Sequence, residues 1–187
     1  MVDVDAPEQA VPEPVEAKRK GFTIGRVLAI MTVIGMVIFW VWIFSGAPAK
    51  QNPDRLKDEA YVTLLQGQCK AMVANLADLP NAAHIKTASA RADVLDDANV
   101  IVGRFIDDVE AKAPTTGDAA VSMAGWIKDW RTYLADRQDY ATRLHTDPNA
   151  QLLLDRSEIG SDSVDQTIQV FTQVNNIPEC DTPGDVG

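Results

Sequence analysis

Val27–Phe44, VLAIMTVIGMVIFWVWIF, is an almost unbroken apolar run interrupted only by Thr32 and Gly35. Eighteen residues rising about 1.5 Å each give roughly 27 Å of helix, close to the hydrocarbon thickness of a bilayer. Lipid offers no partner for a free N–H or C=O, so a helix is the form such a run must take there. Trp40 and Trp42 lie near its outer end, where aromatic rings favour the headgroup region. The run predicts one transmembrane helix over residues 27–46.

Working outward, Lys18, Arg19, Lys20 and Arg26 crowd the amino side, whereas Lys50, Arg55 and Lys57 on the other side are diluted among Asp54, Asp58 and Glu59. Basic residues set orientation far more than acids do, which makes residues 1–26 cytoplasmic and residues 47–187 extracytoplasmic. The tail is rich in proline and glutamate with no helical or strand period, a composition expected to stay disordered. Ala47-Pro48-Ala49 has the small-x-small form of a signal-peptide cleavage site. The length of the apolar run and its tryptophan-rich end favour an uncleaved anchor.

From Lys50 onward, 13 basic residues face 22 acidic ones, a net charge of −9. That field repels nucleic acid and anionic lipid, so nucleic-acid binding is disfavoured and solubility is the plainest role for the charge. Cys69 and Cys180 are the only cysteines and both fall in the exported part, where an even count points to a disulfide. No Asn-x-Ser/Thr sequon occurs, in keeping with a bacterial envelope rather than a glycosylated ectodomain.

The exported part reads as four helices. Asn52-Pro53-Asp54 predicts the first helix start, with Leu65, Cys69, Met72, Leu76 and Leu79 forming one apolar stripe. Pro80-Asn81 ends it and caps the second, whose stripe runs Ile85, Ala88, Ala92, Leu95, Asn99, Val102, Ile106, Val109. After Pro114, Thr115 and Asp118 form an expected capping box for the third helix. Its stripe is Met123, Ile127, Trp130, Leu134, Arg137, Ala141 and Leu144, flanked by Trp126, Tyr133 and Tyr140. Gln151–Leu154 reads as a short strand or a covering loop. Ser163 with Gln166 caps a fourth helix carrying Val164, Ile168, Phe171 and Val174, ended by Asn175-Asn176 and Pro178.

Short turns between the first three helices predict antiparallel neighbours, and with the fourth an all-α antiparallel four-helix bundle on a membrane stalk. Cys69 then stands roughly 22 Å above the base of the first helix, and the fourth helix descends about 18 Å from the far end, bringing Cys180 to a similar height. Bundle and disulfide agree.

Arg137 and Asn99 break the apolar stripes. One reading makes Arg137 the anchor of a ligand carboxylate between walls from Trp130, Tyr133 and Tyr140, with Asn99 nearby. The plainer reading pairs Arg137 with Asp136 or Asp139, or lets its stem reach solvent, and makes Asn99 a register-setting polar residue. The acids of the second helix (Asp93, Asp96, Asp97, Asp107, Asp108, Glu110) read as a solvated face: no Glu-x-x-His pair occurs, and His84 and His145 sit at helix ends. Asp155–Gly160 resembles a calcium loop, but Ile159 fills a ligand position and no twelfth-position Glu follows. No metal and no cofactor is expected. Serine elbows, glycine-rich phosphate loops and His-x-x-x-His pairs are lacking, and both cysteines are expected to pair, so an enzyme is not expected.

The stretch Trp126–Arg137 (WIKDWRTYLADR), with the ending Val174–Val186 (VNNIPECDTPGDV), resembles single-pass membrane proteins of actinobacterial type. That resemblance implies a bacterial envelope setting and carries no chemistry. The functional expectation is a membrane-anchored module that binds or scaffolds a protein partner; the alternative is a small-molecule sensor domain working with a separate signalling partner.

Overall fold

The computed structural model describes residues 24–45, 52–81, 84–158 and 160–184. Most of the expected tail, the Ala47-Pro48-Ala49 motif and Ile159 lie outside them. Among the described residues the protein is all-helical, with five α-helices and no strand; a lone antiparallel bridge joins Arg156 to Ser163. The chain divides into two compact units, Met1–Ser45 and Gly46–Gly187.

The first unit contributes α1, Ile24–Phe44, which begins three residues ahead of the expected Val27. Its 21 residues bury nothing, and apolar side chains face outward all round: Leu28, Met31, Val33, Met36, Ile38 and Val41 are each more than 60% exposed. The helix is long and apolar enough to cross a membrane. Its hydroxyls turn back on the helix itself, Thr32 Oγ1 donating to Leu28 O at 3.0 Å and Ser45 Oγ to Trp42 O at 2.7 Å. Backbone carbonyls thus satisfy the side chains that lipid could not.

The second unit holds α2 (Glu59–Ala77), α3 (Ala88–Glu110), α4 (Gly117–Leu144), α5 (Val164–Asn175) and a 3₁₀ turn, Pro178–Cys180. The stripes read from the sequence are the buried faces: Leu65, Cys69, Met72 and Leu76 of α2, Ala92 to Val109 of α3, and Met123 to Leu144 of α4. Helix starts differ from expectation. Asn52-Pro53-Asp54 is a turn, with Asp54 N–H bonded to Asn52 Oδ1 at 2.9 Å and Arg55 N–H to Asn52 O at 3.1 Å. The true cap of α2 is Asp58, whose carboxylate accepts from the Ala60 and Tyr61 N–H groups. Between turn and cap, Leu56 inserts into the core at 6% exposure. Thr87, not Asn81, caps α3 by accepting from Ala90 N–H. Neither expected capping box forms: Thr116 caps α4 without a side-chain bond, and the Ser163 hydroxyl bonds the Asp165 carboxylate instead. Gln151–Leu154 is a covering loop, with Leu152 and Leu154 packed inward and Leu153 exposed.

α3 packs most extensively against α4, α4 against α5, and α2 against α3. The 3₁₀ turn touches both α2 and α5 and closes the circuit. An aromatic series threads the core: Phe105 lies 5.2 Å from Trp130, Trp130 5.7 Å from Tyr133, and Trp126 stacks on Phe171 at 5.0 Å. Cys69 and Cys180, both fully buried, stand at disulfide distance with Cα atoms 5.0 Å apart. Around them α2 grips the turn again, Gln66 Nε2 donating to the Glu179 carboxylate at 3.1 Å and Lys70 approaching it to 3.5 Å. The Gln66 bond chiefly, with Lys70 assisting, holds Glu179 below its ordinary pKa.

Candidate functional site

Arg137 and Asn99 meet each other. Arg137 is completely buried, and its Nε donates to Asn99 Oδ1 at 2.9 Å. Its Nη1 bonds the Gly184 carbonyl and reaches the Tyr133 hydroxyl at 3.4 Å, while that hydroxyl donates to the same carbonyl at 2.8 Å. The Tyr133 ring also lies 5.7 Å from the guanidinium. Burial raises the Tyr133 pKa, the Arg137 charge opposing it, so the phenol stays a donor. The expected pairing of Arg137 with Asp136 or Asp139 does not form, nor does its stem reach solvent. On a helix, neighbours one or two positions away point elsewhere. Asp136 accepts the Asp155 N–H at 2.9 Å and Asp139 pairs with Arg143 at 2.7 Å.

The aromatic residues considered with Arg137 separate. Trp130 sits in the main core, whereas Tyr140 belongs to a second cluster with Ala92, Leu95, Ala141 and Leu144 and accepts from Arg91 Nη2 at 2.8 Å. Arg137 lines none of the main openings among the described residues. Its place is a polar joint that fastens the carboxyl-terminal segment to α3 and α4. At the far end of α4, His145 bridges to Asp96 at 2.9 Å, with Asp93 4.0 Å away. No group of three metal-ligating side chains converges among the described residues.

Of the openings among the described residues, two combine apolar walls with buried polar atoms. A groove of about 820 Å³ runs between α2 and α3, bounded by Leu64, Gly67 and Gln68 on one side and Ile101, Arg104 and Phe105 on the other. Both amide atoms of Gln68 are shielded there, with no hydrogen-bond partner among the described residues. A smaller cleft of about 350 Å³ lies between α4 and α5, walled by Val121, Trp126, Val170 and Phe171, with Asp54 and Asp129 among its lining. Asp129 is only 3% exposed. Its Oδ2 accepts from Ser157 Oγ at 3.0 Å, and burial raises its pKa against the lowering effect of that bond. Neither Gln68 nor Asp129 stands out in the sequence by composition. The available signal for Asp129 is spacing, three residues after Trp126 and four before Tyr133, which brings it to the edge of the buried aromatic face.

The chain matches no family model, no curated protein and no solved structure.

Proposed function

We propose that the chain is a single-pass membrane protein whose α2–α5 domain, an antiparallel four-helix bundle on the outer side of the cell membrane, binds or scaffolds a protein partner at the envelope. The observation that carries the anchor is α1, apolar on every side and buried nowhere against protein. Such a helix has lipid as its natural surroundings. The basic amino-side flank supports the inside-to-outside orientation, and the Cys69–Cys180 pair at disulfide distance supports an oxidising compartment for the domain. The partner half of the reading rests on the α2–α3 groove, about 820 Å³ in volume, where Leu64 is 43% exposed.

Protease added to intact spheroplasts should remove the carboxyl-terminal domain and spare an amino-terminal tag; the reverse pattern overturns the orientation. Mild-detergent purification should recover a stoichiometric partner from wild type, and Leu64→Glu in the groove should release it. A protein that runs alone in both forms refutes the scaffold. A second reading, a sensor domain with a separate signalling partner, is favoured by the α4–α5 cleft.

A further inference from the structure

The α4–α5 cleft combines three features. Its walls are apolar and aromatic: Trp126 and Phe171 stack at 5.0 Å, and Val121 and Val170 flank them at 75% and 51% exposure. Its lining includes a carboxylate that is almost wholly buried yet has no cation within ion-pair distance among the described residues. Lys128, the next residue along α4, is bound to Glu158. The volume, about 350 Å³, is at the small end of the range that holds organic ligands and too small for a helix or a folded segment.

A buried carboxylate without a counter-charge is costly, and a partner cation relieves that cost. Ser157 supplies one hydrogen bond to Oδ2, which orients the group without neutralising it. Asp54, fixed by the Ser122 hydroxyl at 3.1 Å, adds a second negative group to the lining. Ser122 precedes Asp129 by seven residues, so roughly 10 Å of α4 separates these two positions, with Gly125 and Trp126 between them.

We infer that this cleft binds a small organic ammonium ion, its cationic head on Asp129 and its apolar body against Val121, Val170 and the rim of the stacked Trp126–Phe171 pair. The assignment is separate from the α2–α3 groove and stands or falls independently of a protein partner there.

The test uses the full chain in nanodiscs of zwitterionic lipid, with protein-free nanodiscs subtracted, and three probes of similar shape: 2-phenylethylammonium, neutral 2-phenylethanol and anionic 3-phenylpropanoate. Butylammonium and tetraethylammonium extend the cation series in size. Calorimetric titration should detect at least one ammonium ion in the millimolar range or tighter, and the neutral and anionic probes should bind far more weakly. Asp129→Asn, which keeps an acceptor for Ser157, should weaken the cation by roughly thirty-fold or more, the lower end of what truncating one partner of a buried charge pair does. Val170→Trp should block the cleft while leaving Asp129 intact, so loss of binding need not rest on one variant. Asp108→Asn, on α3 and away from the cleft lining, should change nothing. No binding by any of the cations, equal binding of cation and neutral probe, or unaltered affinity in both cleft variants overturns the assignment.

Discussion

Replacing Cys69 and Cys180 together by alanine tests how the second unit is held closed. The two residues are 111 positions apart, and both are fully buried. Closing a loop of that length removes chain entropy from the unfolded state equivalent to about 4–5 kcal/mol at room temperature. The folded side should change little, because Gln66 and Lys70 still hold Glu179 and Ile177 still sits at 1% exposure. For a unit of about 140 residues, each kcal/mol moves the melting temperature by roughly 3–4 °C, so the double variant should melt about 12–20 °C below wild type. Scanning calorimetry of the full chain in detergent measures this, with a reduced wild-type sample as a second route to the same state. In urea the variant's m value should rise, since an uncrosslinked unfolded chain exposes more surface. A fall of less than about 5 °C, with the wild-type bridge shown intact by mass spectrometry, refutes the entropic argument. Free thiols in natively exported protein refute the bridge itself.

Asn99→Ala takes an acceptor from the buried Arg137 guanidinium and should cost about 1.5–3 kcal/mol in urea unfolding, while Asn99→Leu combined with Arg137→Met should cost less than the two single changes added. Asn175→Ala should cost about 2–4 kcal/mol, because its side chain accepts from the buried Leu56 N–H at 2.8 Å and donates to Asp54 O and Phe171 O, each at 3.0 Å; a loss under about 1 kcal/mol would show that water replaces those bonds. Burial raises the Asp129 pKa in the folded protein, so the folded state holds this proton more tightly than the unfolded one. Its stabilising contribution is full below the unfolded value of about 3.9 and is lost as pH rises through the folded value. Asp129→Asn should therefore gain melting temperature relative to wild type on going from acid to neutral pH, and a difference that is flat with pH contradicts the burial argument.

The buried faces of α2 to α5 were legible because burial imposes a 3.6-residue period on whatever lies there, whereas α1, apolar all round, was legible from its length and composition. The residues that broke the stripes, Asn99 and Arg137, prove to be buried partners of one another across α3 and α4. Two polar interruptions on stripes that must face each other are themselves a pairing signal, stronger than any nearby acid in the sequence. What closes their network could not be read: Gly184 O is a backbone group in a segment without a period, and its φ of +76° is the left-handed conformation that glycine tolerates. Helix starts failed for a related reason. Asn-Pro-Asp suits an Asx-type turn as well as a helix cap, and the choice depends on Leu56 finding the core and Asn175 binding its N–H, contacts 119 residues distant in sequence. Asp129 shows the same limit from the other side. A lone acid beside Lys128 reads as surface, and only the packing of α5 and the Ser157 loop over α4 turns it into a buried charge beside tryptophan. Local pattern gives the faces of the helices, whereas the chemistry of this chain lies where distant segments close over those faces.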